Sequence, residues 1–293
     1  MIGGAGLLFW AVDLPLSKDL TWTTTHQPGS PKNATQPNVE LDTAMAVLSM
    51  GPVGIGDGIG LTNVSLVNRT CRADGVLLKP SKVVTAIDST FVPSQGTQAK
   101  PFLGFLPMTA DGDCTAKRPC SPSAFQTHSE IHGIVWHQLV TLHLGTFHPQ
   151  LSDFYPPLAA DSFVMRESRW RECSNNSDVY AAGCAHLVVR ERLPDISSGP
   201  HRLDSKGAVA WKLFTLSPVL SNGWALLGET SKFVPVSPQR FLSVRPHGAC
   251  LQYTAFASKG EVVRVAAVSP SGRCLIHEAV GKCDNEEMVG QFC

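Results

Sequence analysis

From about residue 101 to the C-terminus, the chain is written in short strand-length runs, and this feature most limits its fold. Apolar and polar residues alternate, or nearly alternate, over residues 134–144, 185–193, 208–216, 223–228, 240–244, 250–257, 261–269 and 273–277. Pro, Gly, Asn and Ser punctuate these runs at short intervals. A period of two sends successive side chains to opposite faces, so each run can cover a core on one side and meet water on the other. Roughly eight such runs in series predict an antiparallel β-sandwich.

The residues before about position 90 keep a different rhythm. Residues 7–14 are an apolar run broken only by Asp13, with Pro15 after it, as a strand buried on both faces would be. Residues 17–38 form a polar loop rich in Thr, Pro and Gly. Residues 39–50 place Leu41, Met45 and Leu48 at helical spacing, with Glu40 and Asp42 where the helix dipole favours negative charge. Residues 51–55 make a second short apolar strand, and residues 62–72 a helix capped by Thr62. Strand, helix, strand, helix is the order of a parallel α/β sheet, although about two repeats are too few to close a barrel. Residues 73–100, with Pro80 and Pro93, read as a linker.

Charge excludes one class of partner. The 293 residues carry 24 basic and 24 acidic side chains, a net charge of zero, with no cluster able to neutralise several phosphates. Nucleic acid is therefore not an expected partner. Nine cysteines, without a CxxC metal pattern, suit an oxidising compartment instead. Close spacing groups Cys114 with Cys120, Cys173 with Cys184, and Cys283 with Cys293. Closing the first two as loops would stabilise the fold by roughly 2–3 kcal/mol each. The odd count leaves one cysteine unpaired or paired outside the chain. Asn33, Asn63, Asn68 and Asn175 each open an Asn-X-Ser/Thr glycosylation sequon. The expected location is secreted or lumenal, extracellular or lysosomal. Residues 2–12 lack the basic start and cleavage site of a signal peptide and are too short to span a bilayer. The expectation is a chain whose signal and upstream part are missing, and which has no transmembrane segment of its own.

The stretch Ser49–Gly60 ("SMGPVGIGDGIG") is the most unusual motif. A phosphate loop needs GxGxxG opening a helix, or GxxxxGK[ST]; here no Lys, Ser or Thr follows the last glycine. A strand that delivers Asp57 at its end, with glycines letting a substrate approach the backbone, fits better. The other reading is a turn in which Asp57 caps the next helix. His128 and His132 are four apart, but metal binding at that spacing needs a helix, and a strand follows at once. No metal site and no cofactor are expected. No GxSxG or Cys-His set is present. Trp22, Trp136 and Trp224 are candidate sugar-stacking faces, against the commoner role of aromatics in a core.

These residues resemble a family. Gly51-Pro-Val53, Asp57 and Asp74-Gly-Val-Leu-Leu78 are similar to the end of the catalytic barrel in the raffinose synthase and α-galactosidase branch of glycoside hydrolases, family 36. The whole chain resembles uncharacterised animal glycoside hydrolase-like proteins of this type through residues 15–19, 153–157, 217–224 and 228–233. The resemblance implies an α/β plus all-β chain: residues 1–95 as the last β/α units of a TIM-like barrel, and residues 96–293 as its C-terminal antiparallel β-sandwich. It implies that Asp57 contacts a carbohydrate at the barrel mouth, with Asp13, Lys18, Asp19 and Trp22 on the same rim. Retaining glycosidases need two carboxylates about 5 Å apart. The resemblance places both the nucleophile and the acid/base upstream of this chain, so no hydrolysis is expected of it alone. The alternative is a carbohydrate-binding or structural ectodomain module without hydrolase activity.

Overall fold

The computed structural model describes residues 20–28, 35–87, 89, 123–142, 147–168, 174–198, 208–283 and 286–293. The apolar run at residues 7–14 lies outside them. Among the described residues strands predominate, and every strand ladder is antiparallel. The first six are β1 (Thr85–Ala86), β2 (Ser123–Ile131), β3 (Ile134–Leu142), β4 (Ser162–Glu167), β5 (His186–Val189) and β6 (Trp211–Pro218). They form one sheet in the order β1-β2-β3-β6-β4-β5. The rest are β7 (Ala225–Gly228), β8 (Phe241–His247), β9 (Cys250–Ala257), β10 (Val262–Val268), β11 (Cys274–Val280) and β12 (Glu286–Phe292). They make two three-stranded sheets, β11-β10-β7 and β12-β9-β8. The antiparallel β-sandwich architecture expected after residue 101 is present, with β2, β4 and β12 added to the eight anticipated runs.

The two small sheets close on one core. Strict alternation in β9 turns Leu251, Tyr253, Ala255 and Ala257 inward, against Val263, Val265 and Ala267 of β10 and Leu226 of β7. Trp136 from β3 and Trp224 enter the same core. Each satisfies its indole N–H inside, Trp136 on the Leu226 carbonyl at 2.9 Å and Trp224 on the Ala249 carbonyl at 2.7 Å. Neither therefore offers a face to a sugar, contrary to the candidate role. Gly290 of β12 stands opposite Tyr253 in the ladder. A Cβ there would lie 2.2 Å from the tyrosine ring, so only glycine leaves room for the phenol.

The large sheet is covered on both faces. One face, with Val140, Trp211 and Leu213, meets Leu41, Ala44, Val47 and Leu48 of helix α1 (Val39–Leu48), together with Phe233 and Val234. The other, with Leu139, Phe163, Met165, Phe214 and Leu216, lies under Phe147, Phe154 and Leu158 of a strap at residues 147–158. β2 and β3 join through His132 and Gly133 alone, with φ of 50° and 80°, the signature of a type I′ hairpin turn.

Three expectations before residue 100 need correction. Residues 51–55 form no strand ladder; they make a single parallel bridge, Thr21 with Ile55, in which the Thr21 N–H donates to Gly54 at 2.8 Å and Gly56 donates back at 3.0 Å. The helix expected over residues 62–72 is one turn, α2 (Val64–Val67), and Asn63 rather than Thr62 caps it. It stops because the chain doubles back: Arg72 N–H donates to the Val76 carbonyl at 2.9 Å and Leu78 to Thr70 at 2.8 Å, around Gly75 at φ 85°. Residues 73–79 are no free linker either. Ala73 N–H bonds Glu261, Lys79 N–H bonds Gln239 at 3.0 Å, and the Ser237 hydroxyl donates to the Lys79 carbonyl at 2.9 Å.

Cys293 pairs with Cys250, not with its close neighbour Cys283, and the cystine joins the start of β9 to the end of β12. The register explains the choice: Leu251 and Phe292, adjacent to the two cysteines, face each other across the ladder. Cys71, Cys274 and Cys283 are thiols. Cys184 is disulfide-bonded, whereas Cys114, Cys120 and Cys173 lie outside the described residues. No helix among the described residues is long and apolar enough to cross a membrane.

Candidate functional site

Asp57 is the one expected rim acid that the structure describes; Asp13, Lys18 and Asp19 lie outside the described residues. Its half-buried carboxylate is held from the loop at residues 20–28. Oδ1 accepts from the Thr23 N–H and from Gln27 Nε2, each at 2.8 Å, and Oδ2 accepts from the Thr23 hydroxyl. That hydroxyl in turn accepts from the Asn63 N–H at 2.7 Å, while Gln27 Oε1 accepts from the Gly58 N–H at 2.7 Å. Thr23 and Gln27 are buried, so the network closes with its donors and acceptors matched. A carboxylate offers about four acceptor sites, and three are taken here. Asp57 thus fixes the loop through these bonds.

The neighbouring glycines serve the chain itself. A Cβ at Gly56 would lie 2.9 Å from the Leu20 Cβ and 3.5 Å from Trp22, and one at Gly54 would lie 3.2 Å from Leu20. The room they leave is filled by the loop that carries Trp22, which is half-buried against Gly56, and not by open space for a substrate. Around this corner Leu20, Ile55, Ile59 and Val64 are exposed.

The sandwich holds a second charged constellation, drawn from residues far apart in the chain. Arg240 is fully buried, and its guanidinium spans two carboxylates: Nε bonds Glu229 at 2.6 Å, and Nη2 and Nη1 bond Glu261 at 2.5 and 3.0 Å. Burial raises the Glu229 carboxyl above its ordinary range, and the charges of Arg240 and Lys232 only partly oppose this. Burial would raise Glu261 too, but hydrogen bonds from Arg240 and from the Ser258 and Ala73 N–H groups hold it below the ordinary range. Chemically this is a lock. The space between the acids is filled by the guanidinium, so they cannot divide the labour of nucleophile and proton donor across a sugar.

Two of the histidines lie on strands and are buried rather than on the surface. His128 of β2 faces His137 of β3 in the ladder, whereas His132 sits in the turn. Among the described residues no group of three or more His, Cys, Asp or Glu side chains could hold a metal ion.

A cleft of about 330 Å³ opens where β4, β5 and β6 meet the segment at residues 192–197. Met165, Val188 and Phe214 line its apolar part, and His186, Arg192 and Asp195 its polar part. Asp195 pairs with His148 at 2.5 Å, and Lys212, also on the wall, lies 3.5 Å from Glu167. None of the expected rim residues lines it. The sequon residues Asn63, Asn68 and Asn175 are all exposed, and Asn33 lies outside the described residues. No protein-family model matches the sequence, and neither does any curated protein.

Proposed function

We propose that this chain is the non-catalytic, carbohydrate-contacting end of a glycoside hydrolase-like protein: the close of a TIM-like barrel at residues 1–95 followed by a β-sandwich. The observation that carries the reading is the parallel bridge between Thr21 and Ile55, with Asp57 two residues beyond it. Parallel pairing is the barrel's pairing, and the residue just past a barrel strand is where substrate contacts arise. Asp57 then receives a sugar hydroxyl on its remaining acceptor site, beside Trp22. Hydrolysis is not assigned to these residues, because the buried acids of the sandwich are bridged by Arg240.

The test is calorimetric. A monosaccharide or α-galactoside held at a hundred times its Kd should stabilise the chain by about 2.7 kcal/mol, and Asp57→Ala should remove that gain. The same α-galactoside should not be turned over. Turnover that disappears with Asp57→Ala would overturn the non-catalytic assignment.

A second reading, a structural ectodomain without a sugar ligand, is favoured by the three protein hydrogen bonds already on Asp57. No stabilisation by any member of a glycan panel would select it. For location, we infer a secreted or lumenal protein from the Cys250–Cys293 cystine and the exposed sequons. A shift in gel mobility on enzymatic removal of N-glycans supports this; secreted material without glycan at Asn63, Asn68 and Asn175 counts against it.

A further inference from the structure

Two buried imidazoles lie under the strap at residues 147–158, and no function described above uses them. His128 and His137 are direct partners across the β2–β3 ladder, with ring centroids 6.3 Å apart, and are 3% and 0% exposed. The strap supplies the lid. Phe154 stands edge-on to His137 at 5.5 Å and Tyr155 edge-on to His128 at 6.5 Å, while Phe163 of β4 closes the third side at 6.4 Å. Neither ring nitrogen of His137 has a hydrogen-bond partner among the described residues. Backbone attachment of the strap includes the bridge of Phe147 with Ile196 and the Tyr155 N–H on the Gln126 side chain at 3.1 Å. A connecting segment packed on a sheet in this way can open locally without loss of the strands beneath it.

The charged groups on the surrounding elements offset burial of His128 only in part. Glu130, near the end of β2, and a hydrogen bond to the Tyr155 backbone on the strap favour a charge on His128, while Lys82, before β1, opposes it. On the strap, Asp153 accepts from the Gln150 N–H at 2.8 Å, and His148 is paired with Asp195. Glu167 of β4 is engaged by Lys212 of β6, and His186 lies on β5 beyond them. The electrostatic influence on His137 is His128 itself. Burial holds the His128 imidazole below its ordinary range. Burial and then repulsion from His128 pull His137 down to about 3.

We propose that His128 and His137 form an acid-sensitive latch: the strap lies closed on the sheet only while both rings are neutral, and mild acid releases it. The sign follows from linkage. Both groups bind protons more readily when the strap is open, so the closed state is favoured fully above pH 6.5, the ordinary histidine value, and loses ground as pH falls below it. His137 alone makes opening about 30-fold more frequent at pH 5 than at pH 8. The proposal is independent of the carbohydrate reading.

The experiment is native-state hydrogen exchange on the full chain at pH 8 and pH 5, corrected for intrinsic rates. The strap amides should open about 30-fold more often or more at pH 5, with β9 amides unchanged. In His137→Phe, which keeps an aromatic ring and removes the titrating group, the rise should shrink at least tenfold. An unchanged strap, an equal rise in the variant, or loss of β9 protection together with the strap would each overturn the latch. Should the variant not fold, proton NMR of the wild type decides. Neither ring should titrate near pH 6.5 while the strap stays protected, and an ordinary titration of either ring under a protected strap would contradict the proposal.

Discussion

The two charged networks of this molecule solve opposite problems. Around Arg240, the carboxylates of Glu229 and Glu261 are held by a fully buried guanidinium. Around Asp57, a single half-buried carboxylate organises a loop through Thr23 and Gln27, next to exposed Leu20, Ile55, Ile59 and Val64. The first network is costly to break because a buried charge left without its partner has no solvent to turn to. The second is cheaper to lose, because water can replace the loop's donors. The difference teaches where each carboxylate is useful: one pair is spent on the fold, and the other acid retains an acceptor site.

The contrast can be broken first at Arg240. Arg240→Met should cost about 3–5 kcal/mol in urea unfolding at pH 7, because two buried carboxylates lose their cation. The deficit should narrow at acid pH: Glu229, already raised by burial with the guanidinium in place, loses the charge that opposed this, so the folded variant gains protons, and relative stability, as pH falls through that range. A smaller loss that does not depend on pH would mean that the triad is not buried as described.

Cys250→Ser comes next. Opening the cystine at the sandwich edge should cost about 2–4 kcal/mol, while leaving the Asp57 loop as resistant to protease as before. Gly290→Ala should cost about 1–3 kcal/mol through overpacking, since its Cβ would meet the Tyr253 ring. Adding Tyr253→Phe should recover little, because the ring carbon Cζ is closer to that position than the hydroxyl oxygen. Smallest globally is Asp57→Ala, about 1–2 kcal/mol for its lost hydrogen bonds. Its effect should instead be local, with faster proteolysis confined to residues 20–63. A global loss as large as that of Arg240→Met would erase the distinction between the two networks.

Much of the sandwich could be read from period alone, and the failures have a common cause. β9 reads "CLQYTAFA", and its burial alternates without a break. β2 and β4 were passed over because their inward positions carry polar groups, Gln126 and His128 in one, Arg166 and Glu167 in the other, all buried. β12 hides behind Glu286 and Glu287 at its start, acidic residues suited to a sheet edge. A rule that equates polar with exposed cannot find such strands.

The site was legible only in part. Asp57 stood out among its glycines, but its partners Thr23 and Gln27 are 34 and 30 residues away and carry no local signal. The helix after it was overextended because residues 62–72 look helical until the Arg72–Val76 turn folds them back. Glu229, Arg240 and Glu261 sit in three separate connections, just after β7, just before β8 and just before β10, whose proximity is a product of the fold.

The most direct test of the central claim is hydrogen exchange of the intact chain with and without a saturating α-galactoside. The account predicts added protection in residues 20–28 and 54–63, lost in Asp57→Ala, with the sandwich strands unchanged. Protection confined to the sandwich, or none anywhere, would contradict it.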